Sequence, residues 1–173
     1  MLSVKKPSPQ VLSPYYQTYL KYVPEEDVLA ALIKQSEITQ KFLASISESQ
    51  SSSAYAEGKW LLKEVVGHMC DTERILTYRA LRIARNDKTP LPGFEENDYT
   101  PNSNYSIRTL SNIANELKAI RESTIALFKN MSEEMYDRRG ISNNAGVGVR
   151  DILFFIVAHE RHHLNVIKER YLS

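Results

Sequence analysis

The chain has 173 residues, 22 basic and 21 acidic side chains, and a single cysteine, Cys70. That length suits one domain, residues 1–173, with a sizeable core of its own. The near-even charge balance excludes a global pull toward nucleic acid or an anionic membrane, and one cysteine excludes an internal disulfide. The start, Met1-Leu-Ser-Val-Lys-Lys-Pro, lacks the apolar core of a signal peptide, and the longest apolar run, Ile152 to Ala158, is far too short to span a bilayer. A cytoplasmic protein is expected.

Residues 1–23 carry Pro7, Pro9 and Pro14 together with Tyr15, Tyr16, Tyr19 and Tyr22, which reads as an arm packed over the domain. Pro24 followed by Glu25, Glu26 and Asp27 suits a helix start, and Val28, Leu29, Leu32, Ile33, Ile38, Phe42 and Ile46 recur at the helical period, predicting a first helix over 24–47. Ser47 to Ser53 reads as a polar loop. A second helix is predicted over 59–85, from Leu61, Leu62, Val65, Val66, Met69, Ile75, Leu76 and Leu81. Residues 86–105 bring Pro90, Pro92, Gly93 and Pro101, a connection long enough to serve as a lid or a dimer contact. A third helix is predicted over 106–131, then a capped turn at Ser132-Glu-Glu and a glycine-bearing loop from Gly140 to Gly148, with extended backbone at most over Gly146 to Val149. The fourth helix runs over 149–172. Four amphipathic helices without a sheet partner imply an all-α four-helix bundle, with long loops between helices 2 and 3 and between helices 3 and 4.

Three of the four histidines fall within His159-Glu160-Arg161-His162-His163, and the fourth, His68, lies within the second helix. Residues four apart share a helix face, so His159 and His163 can aim at one point, which is metal-ligand spacing. His162 is three residues from His159 and also shares a face with it, so periodicity does not choose between His162 and His163. In up-down-up-down order helices 2 and 4 run parallel and His68 comes level with the pair, unless the long loops cross the bundle. Three neutral imidazoles suit zinc, nickel, iron or copper and leave a coordination position open for chemistry. The plainer reading is that the pair merely occupies tolerated helix positions.

Other polar residues have their own readings. Cys70 lies about 200° around the helix from His68 and reads as a small buried apolar group. Asp71 or Glu160 could orient an imidazole, although surface ion pairs are the commoner fate of such acids. Arg74, Arg79, Arg82 and Arg85 could meet an anion at a pocket mouth, but a solvated helix face is the simpler reading. The Tyr15-Tyr16 pair reads as core.

With these residues laid out, the chain resembles the DinB/YfiT-like superfamily of four-helix-bundle metalloenzymes over nearly its whole length. Four passages carry the resemblance: Tyr55-Ala-Glu-Gly-Lys-Trp60 leading into Glu64-Val-Val-Gly-His68; Asp71-Thr-Glu-Arg74 with Arg79; Pro90-Leu-Pro-Gly-Phe94 with Asp98-Tyr99; and Arg150-Asp-Ile-Leu with His159-Glu-Arg-His-His163. The resemblance implies a bundle, often dimeric, that holds a divalent metal by His68, His159 and His163, choosing His163 over His162. Many relatives continue the last motif with Arg-Gly-Gln where this chain has Leu164-Asn-Val166. It further implies an enzyme acting on a small molecule, first of all a thiol S-transferase in which a metal-activated thiolate attacks an electrophile. A metal-dependent hydrolase using bound hydroxide is the alternative, and a non-catalytic, stress-related binding bundle is the third reading.

Overall fold

The computed structural model describes residues 3–173. Four long helices form the body: α1 (Val28–Ala44), α2 (Leu62–Ala84), α3 (Leu110–Lys129) and α4 (Val149–Val166), the last continuing as a wider π-turn over Ile167–Tyr171. None of the helices among the described residues is long and apolar enough to cross a membrane. Each start is set by a local acceptor. α1 begins at Val28 and not near Pro24, because the Asp27 carboxylate accepts from the Ala30 amide at 3.0 Å and ties in the Val4 amide at 3.3 Å. α2 begins at Leu62 and not at Lys59, where the Glu64 carboxylate reaches back to the Leu61 amide at 2.8 Å. α3 begins at Leu110, capped by Thr109, rather than at Ser106, since Tyr105–Ile107 forms a separate 3-10 turn.

The connections hold more structure than expected. Glu48–Ser51 forms a helical turn capped by Ser47 within the serine-rich stretch, and Glu96–Tyr99 forms another within the long loop. A hairpin of β1 (Arg139–Ser142) and β2 (Ala145–Gly148) replaces most of the expected second loop. Its two-residue turn is Asn143-Asn144, with φ of 50° and 60°; asparagine tolerates this left-handed backbone, which the favoured hairpin turn requires. Leu91 crosses over to this hairpin: its amide donates to the Ile141 carbonyl and its carbonyl accepts from the Asn143 amide, both at 3.0 Å. Within the arm Val4, Leu12 and Val23 are buried, and the Val4 carbonyl accepts from the Val28 amide at 2.8 Å. Met1 and Leu2 lie outside the described residues.

The helix order is not up-down-up-down. α2 packs on α3 and α4, and α1 packs on the same two, so consecutive helices α1/α2 and α3/α4 lie diagonally across the bundle. Pairs such as Arg121 with Glu73 and Thr124 with Thr77 climb together, making α2 and α3 parallel. The Trp60 carbonyl accepts from Tyr171 Oη at one end, while Arg138 joins the end of α2 to the start of α4 at the other, making those two antiparallel. The long connection after α2 therefore has to travel back along the whole bundle. Two apolar clusters stack along its axis. One lies around Leu29, Leu32, Phe128, Ile152 and Phe154, the other around Leu43, Leu62, Val66, Ile113, Leu117 and Ile167.

One tight contact locks the long connection to α2. A Cβ on Gly67 would lie 2.2 Å from Cγ of the Tyr105 ring. Gly67→Ala gains about 1 kcal/mol of helix propensity but forces the ring out of its seat, and overpacking costs about 1–3 kcal/mol. A net loss of up to about 2 kcal/mol is expected, read as a lower urea midpoint at unchanged m-value; a variant more stable than the native chain by the full propensity gain of about 1 kcal/mol would refute the contact's importance.

Candidate functional site

Because α2 and α4 are antiparallel, His68 meets the histidine pair from the opposite direction to the one expected. His68 lies about 9 Å from the start of α2, and His159 and His163 lie about 5 to 10 Å before the end of α4, so the three rings come level. His159 Nε2 is 3.1 Å from His68 Nε2 and 3.0 Å from His163 Nε2. One ligand nitrogen from each of the three lies within 4.8 Å of the others. His162 turns away: its Nδ1 is 3.0 Å from the Tyr22 hydroxyl. The one-residue step of about 100° thus separates the two candidates that periodicity left tied.

The donor set fits a metal ion. A tetrahedral ion with bonds of about 2.0–2.1 Å sets its nitrogen ligands about 3.3 Å apart, close to the observed separations. Burial also keeps the rings neutral, the form in which imidazole is a ligand. Burial, with a smaller repulsion from His162, pushes His68 down to about 4. His159 and His163 are driven well below the usual histidine range by burial first and by their neighbouring rings second.

The surroundings differ from expectation in several particulars. Asp71 does not orient an imidazole; it accepts from the Tyr105 hydroxyl at 2.9 Å. Thr72 is the hydroxyl nearest His68, with Oγ1 3.5 Å from Nδ1. Glu160 also leaves the histidines alone. It accepts from the Thr39 hydroxyl and, at 2.5 Å, from Arg121, which is forked onto Glu73 at 2.9 and 2.7 Å. Glu73, Arg121 and Glu160 are all buried, so α2, α3 and α4 are joined by a charged network directly beneath the histidines. Burial drives the Glu160 carboxyl above the usual range, opposed by Arg121. Cys70 is buried with its sulfur 3.9 Å from the Ile113 carbonyl, away from the site, and burial pushes its thiol upward.

The rings open onto a cavity of about 690 Å³ whose walls include Trp60, Phe94, Tyr15, Tyr16 and Phe155. Tyr16 stacks on Phe155 with ring centroids 4.1 Å apart and planes 2° from parallel, so it packs against the core as expected and, with the exposed Tyr15, also lines the cavity. The arginine row divides as well. Arg74 pairs with Glu116 and Arg82 with Asp87, Arg85 touches the Met135 sulfur, and Arg79 alone is buried against the cavity. Nothing in the helical period distinguishes Arg79 from its neighbours, because its neighbour Phe94 arrives from the crossing loop.

Comparison with known proteins agrees with this picture. YfiT from Bacillus subtilis, described as a probable metal-dependent hydrolase with an unusual four-helix bundle topology, superposes with a TM-score of 0.66 at 19% identity, over 95% of this chain and 90% of that one. The mycothiol-dependent maleylpyruvate isomerase superposes with a TM-score of 0.66 at 13% identity, over 84% of this chain. The chain spans 61% of the isomerase's length. At these identities the likeness shows the fold. A protein of Oceanobacillus iheyensis, whose name places it provisionally among metal-dependent hydrolases, is 27% identical over 128 residues, 72% of either chain. The sequence profile of the DinB superfamily matches residues 31–167, a span that holds all four histidines and the four helices but for the first turn of α1, and the chain belongs to that superfamily.

Proposed function

We propose that the chain is a divalent-metal-dependent enzyme in which His68, His159 and His163 hold one ion of zinc, nickel or iron, and that it joins a small thiol to an electrophile. The observation that carries this reading is the convergence of three neutral imidazoles, those of His68 and His159 buried and that of His163 half-buried, on one point at the wall of a 690 Å³ cavity. Bound there, such an ion supplies Lewis acidity that lowers the pKa of a coordinated thiol or water. The remaining work falls to the chain's own groups. Trp60, its ring 5.3 Å from His68, and Phe155, 5.6 Å from His159, keep bulk water from the rings and so strengthen electrostatic interactions at the site. His162 lines the same cavity, and burial, together with Lys21 and Arg170, lowers its pKa. The cavity volume falls in the range of small-molecule sites. Thiol dependence in the isomerase that shares the fold supports the thiol reading.

Hydrolysis is the second reading, favoured by the provisional hydrolase name of the Oceanobacillus iheyensis relative. One assay separates the two. Protein loaded in turn with zinc, nickel and iron is given 1-chloro-2,4-dinitrobenzene with and without cysteine, and p-nitrophenyl acetate without any thiol. Turnover of the first that needs both metal and thiol is the expected result. Turnover of the ester alone selects the hydrolase, and one equivalent of bound metal with no turnover of either overturns the transferase.

A further inference from the structure

The cavity also holds a cation that the histidine reading does not use. Arg79 is 8% exposed, its Nη2 donates to the Pro92 carbonyl at 2.7 Å, and its guanidinium lies 5.8 Å from the centroid of the Phe94 ring. Arg74, Arg82 and Arg139 each have a carboxylate partner; Arg79 has none among the described residues. A guanidinium has five N–H donors, and a buried charge without a counter-charge is costly. A second polar group on the same cavity is also unmatched. The Ser142 hydroxyl is the one buried side-chain polar atom without a hydrogen-bond partner among the described residues.

The chain path brings these two groups together. Arg79 bonds to the Pro92 carbonyl, while the preceding residue, Leu91, lies in a parallel bridge beside Ser142. Tyr16 lines the same cavity, its ring stacked on Phe155. Of the acids on the cavity, Asp151 is occupied by the Gly148 amide and Arg139, and Glu96 makes no ion pair with Arg79. We propose that Arg79 and Ser142 form a carboxylate-binding subsite, so that the substrate is a small carboxylic acid whose apolar body lies along Tyr16, Phe155 and Phe94. A planar fork of donors matches a carboxylate, with the Ser142 hydroxyl donating to a remaining lone pair. The proposal rests on the reading of this cavity as the substrate site, though not on the metal.

The carboxylate can belong to the electrophile or to the thiol, and one titration distinguishes them. Trp60 is the chain's single tryptophan and lines the cavity, so its fluorescence reports occupancy. Protein stripped of metal by chelation and dialysed is titrated with phenylacetate and phenylacetamide, then with N-acetylcysteine and its amide. At least one acid is expected to bind saturably, about tenfold or more tighter than its amide, and whichever does so names the source. Arg79→Gln is expected to weaken that acid about tenfold or more, and Arg79→Lys several-fold because a lysine lacks the fork. Ser142→Ala is expected to weaken it several-fold while leaving the melting temperature unchanged or higher, since it removes an unmatched buried hydroxyl. That split does not arise if Ser142 and Arg79 only brace the loop, and Ser142→Ala keeps the test decisive if Arg79→Gln does not fold. Acid and amide binding alike, neither acid binding, or acids binding Ser142→Ala and Arg79→Lys as they bind the native chain would each overturn the subsite. Because the titration uses metal-free protein, it stands or falls separately from the metal reading.

Discussion

Replacing His159 by alanine is expected to abolish metal retention: about one equivalent per native chain, and less than about a tenth of that in the variant after dialysis. His159 is the member within about 3 Å of both other rings, so its loss leaves two nitrogens with no shared third partner. Loss of an outer-shell partner alone costs about 10–100-fold in metal affinity, and loss of a ligand costs more. Stability reports the same event. Free metal at 100 times its dissociation constant stabilises the native fold by about 2.7 kcal/mol, a gain absent from the variant. The metal-free native chain is expected to weaken in acid. His68 has a folded pKa near 4, below the 6.5 of a free histidine, so the unfolded chain binds the extra proton in the window between them. The stability is fully present above pH 6.5 and falls as the pH drops toward 4, by roughly 3 kcal/mol from this ring alone. Zinc content and thermal melts at pH 7.5 and pH 5 check both arms. A His159→Ala protein that keeps a full equivalent of metal would sink the assignment.

Arg121→Met is expected to cost about 3–5 kcal/mol at pH 7, because it leaves the Glu73 and Glu160 carboxylates buried without a counter-charge. The pH dependence of that loss identifies its cause. Even beside Arg121, burial holds the Glu160 carboxyl above its ordinary 4.5, and without Arg121 its pKa rises further. A carboxyl raised in the folded state contributes fully below its unfolded pKa, and that contribution is lost as the pH rises. The gap between variant and native chain should therefore narrow from pH 7 to pH 5. Urea titrations of both proteins at the two pH values measure it. A constant gap would mean that lost packing, rather than unpaired charge, is responsible.

Much of this molecule was legible along the chain, because the helical period is local. Val65, Val66 and Met69 on α2, and Ile113, Leu117 and Ile120 on α3, announce helices whose apolar faces must meet, and all six are buried in one cluster. The four-residue spacing of His159 and His163 likewise put both rings on one face before any neighbour was considered. Helix starts were less legible, since Pro24-Glu-Glu and Asp27 are both good openings and the contact of Asp27 with the Val4 amide decides between them. The hairpin was hidden because Arg139-Gly-Ile-Ser is too short to show alternation, and it is held partly by Leu91, far away in sequence.

By itself, then, the sequence determined four helices and the histidine pair, consequences of spacing within single helices, while the family came from resemblance of its motifs, one of them in a loop. Only the tertiary structure decided the rest. It made α2 and α4 antiparallel, bonded His162 to Tyr22 while His163 joined His68, buried Glu160 on Arg121, and set Arg79 and Ser142 against one cavity. Those outcomes depend on which helices lie side by side and on a connection that runs back along the bundle, and contacts between residues distant in sequence have no period to read.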